Sequence, residues 1–212
     1  MNPAAATGAD SNPAASTTPA LILASGSVYR RQLLQRLQLS FSVIAPNVDE
    51  QRLTNESPRD YVTRLAQAKA AAVAASHGEA WVIGSDQTAV LKDADGDQIL
   101  GKPGSHDQAI AQLQRCSGRE VRFLTSLCLL PAAATARHYV DVTRVQFRQL
   151  SAAEIERYVA REQPLDCAGS FKAEALGISL FDAIHSDDPS ALIGLPLIAL
   201  CRLLRQAGMT LP

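Results

Sequence analysis

Apolar and polar positions follow two different rhythms along this chain, and together they predict strands and helices in alternation. Short apolar runs typical of buried strands occupy 21–24, 41–44 and 81–83, and longer runs occupy 121–130 and 139–147. Between them, apolar residues recur at helical spacing, as at Leu33, Leu34 and Leu37. This alternation indicates the α/β class.

Serine residues mark the predicted helix starts, because a serine hydroxyl can cap free backbone N–H groups. The four serines are Ser27, Ser57, Ser105 and Ser151. Pro58 suits a first helical position and opens a long alanine-rich helix to about residue 75. The helix after Ser105 is expected to end at Gly118, and a last amphipathic helix over 197–206 to end at Gly208.

The strand over 81–83 is expected to stop at Gly84, whereas the two long strands are close enough in sequence to pair as a hairpin. We therefore predict one α/β domain over 19–212, with a mixed, twisted sheet flanked by helices. Residues 1–18 are rich in Ala, Pro, Ser and Asn and hold no large apolar side chain beyond Met1. Such a segment cannot bury enough surface to offset chain entropy, so we predict a disordered leader.

The overall charge argues against several classes of partner. The formal net charge is −1 and the pI is near 6.4, which gives no electrostatic footprint for nucleic acid or an anionic membrane. A phosphate-bearing ligand would therefore need a local cationic pocket. The sequence carries neither a membrane-length apolar run nor a signal peptide, and its four cysteines are scattered. These features predict a cytoplasmic protein.

The first candidate site follows the first strand, at the run ASGSVYRR over 24–31. Free N–H groups and the helix dipole favour an anion at such a junction. Arg30 and Arg31 in the first helical turn are disfavoured by the dipole, and a bound phosphate near Ser25 would reverse that penalty. Two solvated arginines explain the pattern equally well.

Lys69 and Asp86 are the next candidates. Lys69 shares a helical stripe with Tyr61 and Leu65, so it lies on the apolar side of its helix and must either snorkel or meet an anion. Asp86 lies in GSDQ, which is predicted to follow the carboxyl end of a strand, where ligands bind in open α/β sheets. It could hold a metal, act as a general base, or simply form a turn.

Three further segments are ambiguous when taken alone. At most one carboxylate of Asp49–Glu50 is expected to face a site, since adjacent side chains diverge, and a solvated turn is the alternative. Lys102 lies in the rigid loop LGKPG, which lacks the form of a P-loop and could be a surface turn. Glu174 follows CAGSFK and could read a base edge or stand exposed.

In order, the motifs resemble the Maf family throughout the chain from about 21 to 208. The matching runs are LASGSVYRR, APNVDE, ESPRDYV, LAQAKA, VIGSDQ, ILGKP, CAGSFKAE and LIGLPL. The resemblance implies a single elongated domain with a Maf/ITPase-like fold and a central substrate cleft, often dimeric. It also implies hydrolysis of nucleoside triphosphates to monophosphate and pyrophosphate with a divalent metal such as Mg²⁺, Mn²⁺ or Co²⁺.

The resemblance also implies roles for individual residues. Asp86 would activate water, and Glu50 would join it at the metal. Ser25, Arg30, Lys69 and Lys102 would hold and neutralise the phosphates, where charge develops during the reaction.

Three positions are similar to those that set the substrate within the family: Tyr29, Gln87 and Glu174. They resemble the branch that acts on 7-methyl-GTP, although Tyr29 replaces an expected Trp, whereas the dTTP/UTP branch typically has Arg, Thr and Gln. An aromatic face attracts a cationic methylated guanine, and a carboxylate can accept hydrogen bonds from its edge. Pyrimidine triphosphates, several modified nucleotides, or a non-catalytic regulatory or nucleic-acid-binding role are the alternatives.

Overall fold

A computed structural model describes residues 19–94 and 96–212, so the predicted leader over 1–18 lies outside the described residues. Strands and helices alternate through most of the chain. In order they are β1 (Leu21–Ala24), α1 (Val28–Gln35), β2 (Ser42–Ile44), α2 (Pro58–Ala74), β3 (Trp81–Asp93), β4 (Gly96–Leu100), α3 (His106–Cys116), β5 (Glu120–Leu130), β6 (Arg137–Phe147), α4 (Ala152–Glu162), β7 (Phe181–His185) and α5 (Leu197–Gln206). The predicted α/β class is confirmed.

In the described part of the chain, the strands form one sheet in the order β2-β1-β3-β5-β6-β7, with β4 paired to β3 beside this path. Strand β1 pairs in parallel with β2 and with β3. The pairs β3–β5, β5–β6 and β6–β7 are antiparallel. The mixed sheet is therefore confirmed, as is the hairpin between β5 and β6. Sequence analysis did not identify β4 or β7.

Helix starts follow the serine signals. Ser27, Ser57, Ser105 and Ser151 are the N-caps of α1, α2, α3 and α4, and each side chain accepts a hydrogen bond from a backbone N–H three residues on. Ser151 and Glu154 form a complete capping box. These short-range contacts made the helix starts predictable from sequence.

The prediction that Gly84 ends its strand is wrong, because β3 continues to Asp93. Gly84 permits close packing of the strand against α2. A Cβ at this position would lie 2.1 Å from the carbonyl oxygen of Ala66 and 2.9 Å from the backbone nitrogen of Ala70. Asp86 therefore lies within a long strand, and its predicted position after a strand end is also wrong.

In the middle of β3, one of its two edges has no partner strand among the described residues. Strand β1 pairs with β3 as far as Gly84, and β4 pairs with it from Ala89 onward. The intervening residues 85–88 pair with β5 on the other edge and have no partner strand on this one within the described sheet. Because β1 is parallel and β4 antiparallel to β3, the residues after both strands approach this gap.

Apolar clusters cover both faces of the sheet. Helix α2 packs on one face, and α1, α3, α4 and α5 contribute to the clusters on the other. Four aromatic rings meet edge to face with centroids 4.8–5.7 Å apart, a favourable geometry: Phe123, Phe147, Phe171 and Phe181. Phe171 thereby anchors the segment that carries Glu174. Among the described residues, no helix is both long and apolar enough to cross a membrane.

Candidate active site

A buried lysine joins two carboxylates beside the gap in the sheet. Lys69, on α2, is 6% exposed, and its Nζ lies 2.6 Å from Asp86 Oδ1 and 2.8 Å from Glu50 Oε1. The sequence predicted that Lys69 would either snorkel or meet an anion, and in the structure it meets two. The close packing at Gly84 brings α2 near enough to β3 for the contact with Asp86.

The two carboxylates differ electrostatically. Burial raises the pKa of Asp86 above its ordinary 3.8, and the charges of Lys69 and Arg30 only partly offset that rise. Partial burial also opposes ionisation of Glu50, but the hydrogen bond and charge of Lys69, with the charges of Lys102 and Arg30, outweigh it and lower its pKa. Asp86 is therefore the better proton acceptor of the pair.

Only one side chain of Asp49–Glu50 faces this cluster, as predicted. Asp49 Oδ1 accepts a hydrogen bond of 2.9 Å from the backbone N–H of Gln51, which closes a local turn. Tyr61, on α2, donates its hydroxyl to the carbonyl of Glu50 at 2.9 Å. The loop is thereby tied to the same helix that carries Lys69.

The junction between β1 and α1 is held by serine hydroxyls and by Arg30. Ser25 Oγ accepts a hydrogen bond of 3.1 Å from the N–H of Ser27, which caps α1. Arg30 donates from Nε to the carbonyl of Gly194 at 2.8 Å, and burial lowers its pKa although the charges of Asp86 and Glu50 act to raise it. Arg31 is exposed and does not line the cavity described below.

The turn over 191–194, which is distant in sequence, is hydrogen-bonded to β3. Gln87 donates from Nε2 to Thr125 Oγ1 at 2.9 Å and to the carbonyls of Ala191 at 2.9 Å and Leu192 at 3.0 Å. Ser85 Oγ donates to the carbonyl of Gly194 at 3.0 Å. The amide nitrogen of Gln87 is therefore occupied within the protein. Its Oε1, which accepts no hydrogen bond from the described residues, is the atom able to read a ligand.

The segment after α4 is also held in place. Gly104 donates its N–H to the carbonyl of Leu165 at 3.0 Å, which ties this segment to the loop that follows Lys102. Ser170 Oγ donates to Gln112 Oε1 at 2.6 Å, and the N–H of Lys172 donates to the hydroxyl of Tyr158 at 3.1 Å. These contacts fix the position of the turn that leads to Glu174.

A cavity of about 850 Å³ opens beside the gap in β3. All nine residues to which the family resemblance gave a role line it: Ser25, Tyr29, Arg30, Glu50, Lys69, Asp86, Gln87, Lys102 and Glu174. Sequence reasoning missed Asp166 and Gly194, which line it too. The small residues of CAGS and LIGLP were the available signal for these segments, because small residues permit close approach of backbone and ligand.

Charged groups divide the cavity lining into two sets. The cation-rich end consists of Arg30, Glu50, Lys69, Asp86 and Lys102, which influence one another electrostatically. The acidic end consists of Tyr29, Asp166, Cys167 and Glu174. Partial burial is the main cause that raises the pKa of Tyr29 to about 12, with smaller contributions from its interactions with Cys167, Asp166 and Glu174. Tyr29 is therefore neutral, with an aromatic ring beside two carboxylates.

Glu50 and Asp86 are the residues best placed to hold a metal ion. Within residues 19–94 and 96–212, no group of three or more His, Cys, Asp or Glu side chains is close enough to do so. Two carboxylates suit Mg²⁺ or a similar ion, because such ions keep several waters and take further oxygens from substrate phosphates. The donor set therefore fits a metal held jointly by protein and ligand.

Fold and cavity together define an α/β protein with a polar cleft that carries cations at one end and carboxylates at the other. The family model described as Maf-like protein matches residues 20–207. The chain therefore belongs to the Maf family, which confirms the resemblance found in the sequence.

Close relatives cover nearly the same length. The 7-methyl-GTP pyrophosphatase of Xanthomonas campestris pv. campestris (strain 8004) is 59% identical over 194 residues, which is 92% of this chain and 99% of that protein. The 7-methyl-GTP pyrophosphatase of Alcanivorax borkumensis (strain ATCC 700651 / DSM 11573 / NCIMB 13689 / SK2) is 53% identical over 196 residues, 92% and 98% of the two chains.

A solved nucleoside-triphosphatase, the dITP/XTP pyrophosphatase of Mycobacterium abscessus ATCC 19977 / DSM 44196, is 14% identical with a TM-score of 0.44. The match covers 89% of this chain and 98% of that one. At this level of similarity, we draw no conclusion from it.

Proposed function

We propose that this protein is a nucleoside triphosphate pyrophosphatase that hydrolyses the bond between the α and β phosphates of 7-methyl-GTP, releasing 7-methyl-GMP and pyrophosphate. The observation that carries the proposal is the buried contact between Lys69 and Asp86, inside a cavity shared with Ser25, Arg30 and Lys102. Relatives at 53–60% identity that carry the name 7-methyl-GTP pyrophosphatase support it.

Asp86 acts as the general base in this proposal. Its carboxylate accepts a proton from water as the water oxygen bonds to the α phosphorus. The bond from that phosphorus to the bridging oxygen breaks, and the electron pair leaves with pyrophosphate. The raised pKa of Asp86 suits proton acceptance, because a base is most effective when its pKa approaches the working pH.

The phosphate chain is held at the cation-rich end. Lys69, Lys102 and Arg30 neutralise charge on the phosphates and on the leaving pyrophosphate, and Ser25 lies at the helix start that favours an anion. Glu50 and Asp86 would hold a divalent cation, Mg²⁺, Mn²⁺ or Co²⁺, which would supply further stabilisation of phosphate charge. Lys69 would help keep both carboxylates in position.

The base is bound at the acidic end. Tyr29 offers an aromatic face to the cationic 7-methylguanine ring, and Glu174 accepts hydrogen bonds from its Watson–Crick edge. Gln87 contributes through Oε1, since its amide nitrogen is engaged by the backbone. We place the protein in the cytoplasm, in keeping with its four free cysteines, and expect it to act as a monomer or homodimer.

A substrate panel tests the proposal. Pyrophosphate release from 7-methyl-GTP, GTP, UTP and dTTP is measured with Mg²⁺, Mn²⁺ and Co²⁺ in turn, and kcat/KM should be highest for 7-methyl-GTP. A preference for UTP or dTTP would contradict the assignment of the base. Absence of hydrolysis with every nucleotide and metal would favour a non-catalytic binding role.

A further inference from the structure

We propose that Asp166 is a second specificity determinant, which selects the positive charge of the methylated base independently of hydrogen bonding. This inference rests on the proposed function and assigns a role to a residue that the sequence motifs did not indicate. Asp166 lines the cavity together with Tyr29 and Glu174, in the turn just before Cys167.

The position of Asp166 is fixed by its neighbours. Cys167 Sγ donates to Asp166 Oδ1 at 3.5 Å, and Cys167 N–H donates to the carbonyl of Pro164 at 3.4 Å. The adjacent carbonyl of Leu165 accepts from Gly104 at 3.0 Å. Asp166 is thereby kept in the lining of the same cavity as Tyr29, and its charge contributes to the raised pKa of that phenol.

The negative charge of the acidic end has no cationic partner among the described residues that line the cavity. Among the described residues that line the cavity, the cations are Arg30, Lys69 and Lys102, which all belong to the cation-rich end. The nearby Lys172 does not line the cavity and is bound to Glu162, 3.4 Å from Oε1 and 3.0 Å from the carbonyl oxygen. Two carboxylates beside one aromatic ring therefore favour a ligand that brings a positive charge between them.

Asp166 and Glu174 should select different features of the nucleotide base. A carboxylate at the Watson–Crick edge, proposed for Glu174, accepts hydrogen bonds from guanine whether or not N7 is methylated. Those hydrogen bonds select guanine, but they do not select the methyl group. A second carboxylate that contributes only charge selects the cationic ring over the neutral one, and this effect weakens as salt screens it.

The test compares Asp166→Asn with the unchanged protein, using kcat/KM for 7-methyl-GTP and for GTP. The ratio of the two should fall about two- to fivefold, as expected for the loss of a solvent-screened charge pair. The value for GTP should fall much less, because its neutral base gains little from the lost charge. Asp166→Glu, which keeps the charge, should retain most of the ratio. The matched control is Asp182→Asn, an exposed carboxylate on β7 outside the cavity, which should leave the ratio unchanged.

Ionic strength and binding give independent readouts. Raising the salt from about 0.05 M to about 0.5 M should reduce the ratio for the unchanged protein but hardly affect it for Asp166→Asn. Affinities for 7-methyl-GMP and GMP, measured by calorimetry, should show the same loss of discrimination without relying on turnover. An unchanged ratio in Asp166→Asn, or an equal loss on both nucleotides, overturns the inference and leaves the proposed function standing. If no nucleotide is hydrolysed, the proposed function fails and the calorimetry alone decides the inference.

Discussion

The buried pair Lys69 and Asp86 at the cation-rich end and the two carboxylates at the acidic end are carried by different kinds of structure. At the cation-rich end, Lys69 and Asp86 project from a long helix and a central strand and are almost entirely buried. At the acidic end, Asp166 and Glu174 lie on turns and are exposed. The comparison suggests that chemistry common to all nucleotides depends on rigid elements, whereas the choice of base depends on segments that can change without disturbing the sheet.

The largest expected effect comes from Asp86→Asn, which keeps the size of the side chain and removes the base. We expect kcat to fall by about 10²- to 10⁴-fold with every nucleotide, the usual contribution of general base catalysis. Pyrophosphate release is the measurement. If Asp86→Asn kept near-normal turnover, the cation-rich end would not be the chemical centre.

Gly84→Ala should damage the same end through packing. The new Cβ would lie 2.1 Å from the carbonyl oxygen of Ala66, so α2 must move away from β3 and carry Lys69 with it. We expect the free energy of unfolding to fall by about 3 kcal/mol, at the upper end of typical overpacking costs. Denaturant unfolding measures this change. Gly78→Ala, where a Cβ meets nothing within 4 Å, is the matched control and should have little effect.

Glu174→Gln should alter the choice of base and leave the chemistry intact. We expect kcat/KM for 7-methyl-GTP to fall about tenfold, because a charged hydrogen-bond acceptor is lost. The value for GTP should fall less, and that for UTP least. An equal loss on all nucleotides would mean that hydrolysis and base recognition are not separated between the two ends as proposed.

The smallest effect is expected from Glu56→Gln, in the loop that supports Glu50. Arg64 contacts Glu56 Oε1 at 2.7 Å and the carbonyl of Gln51 at 2.9 Å, and its hydrogen bond lowers the pKa of Glu56 from 4.5 to about 2. Because the folded pKa is depressed, this stabilisation is present above pH 4.5 and is lost as the pH falls toward 2.

Thermal melts of the unchanged protein and Glu56→Gln across that pH range should therefore converge at the acid end. Turnover at neutral pH should fall only a few-fold, by a similar factor for every nucleotide, since only the loop beneath Glu50 is loosened. Melting curves that stayed equally far apart at every pH would show that this ion pair does not support the loop.

Short-range interactions made many features of the structure predictable from the sequence. Each serine cap depends on atoms within three residues, and the burial of Lys69 follows from its helical stripe. The hairpin of β5 and β6 needed only two strands close in sequence. Taken in order, the motifs also predicted which side chains line the cavity, although nothing in their local spacing required them to meet.

Long-range contacts decided what the sequence could not. The sequence predicts a strand end at Gly84, because the close approach of α2 cannot be seen in the sequence. The gap beside Asp86 exists only because β1 and β4 pair with different parts of β3. The amide of Gln87 is occupied by carbonyls more than a hundred residues away. Sequence by itself determined most of the elements, their order and the residue types that chemistry needs. The tertiary structure alone determined which atoms are free to act, because hydrogen-bond partners and burial depend on segments far apart in the chain.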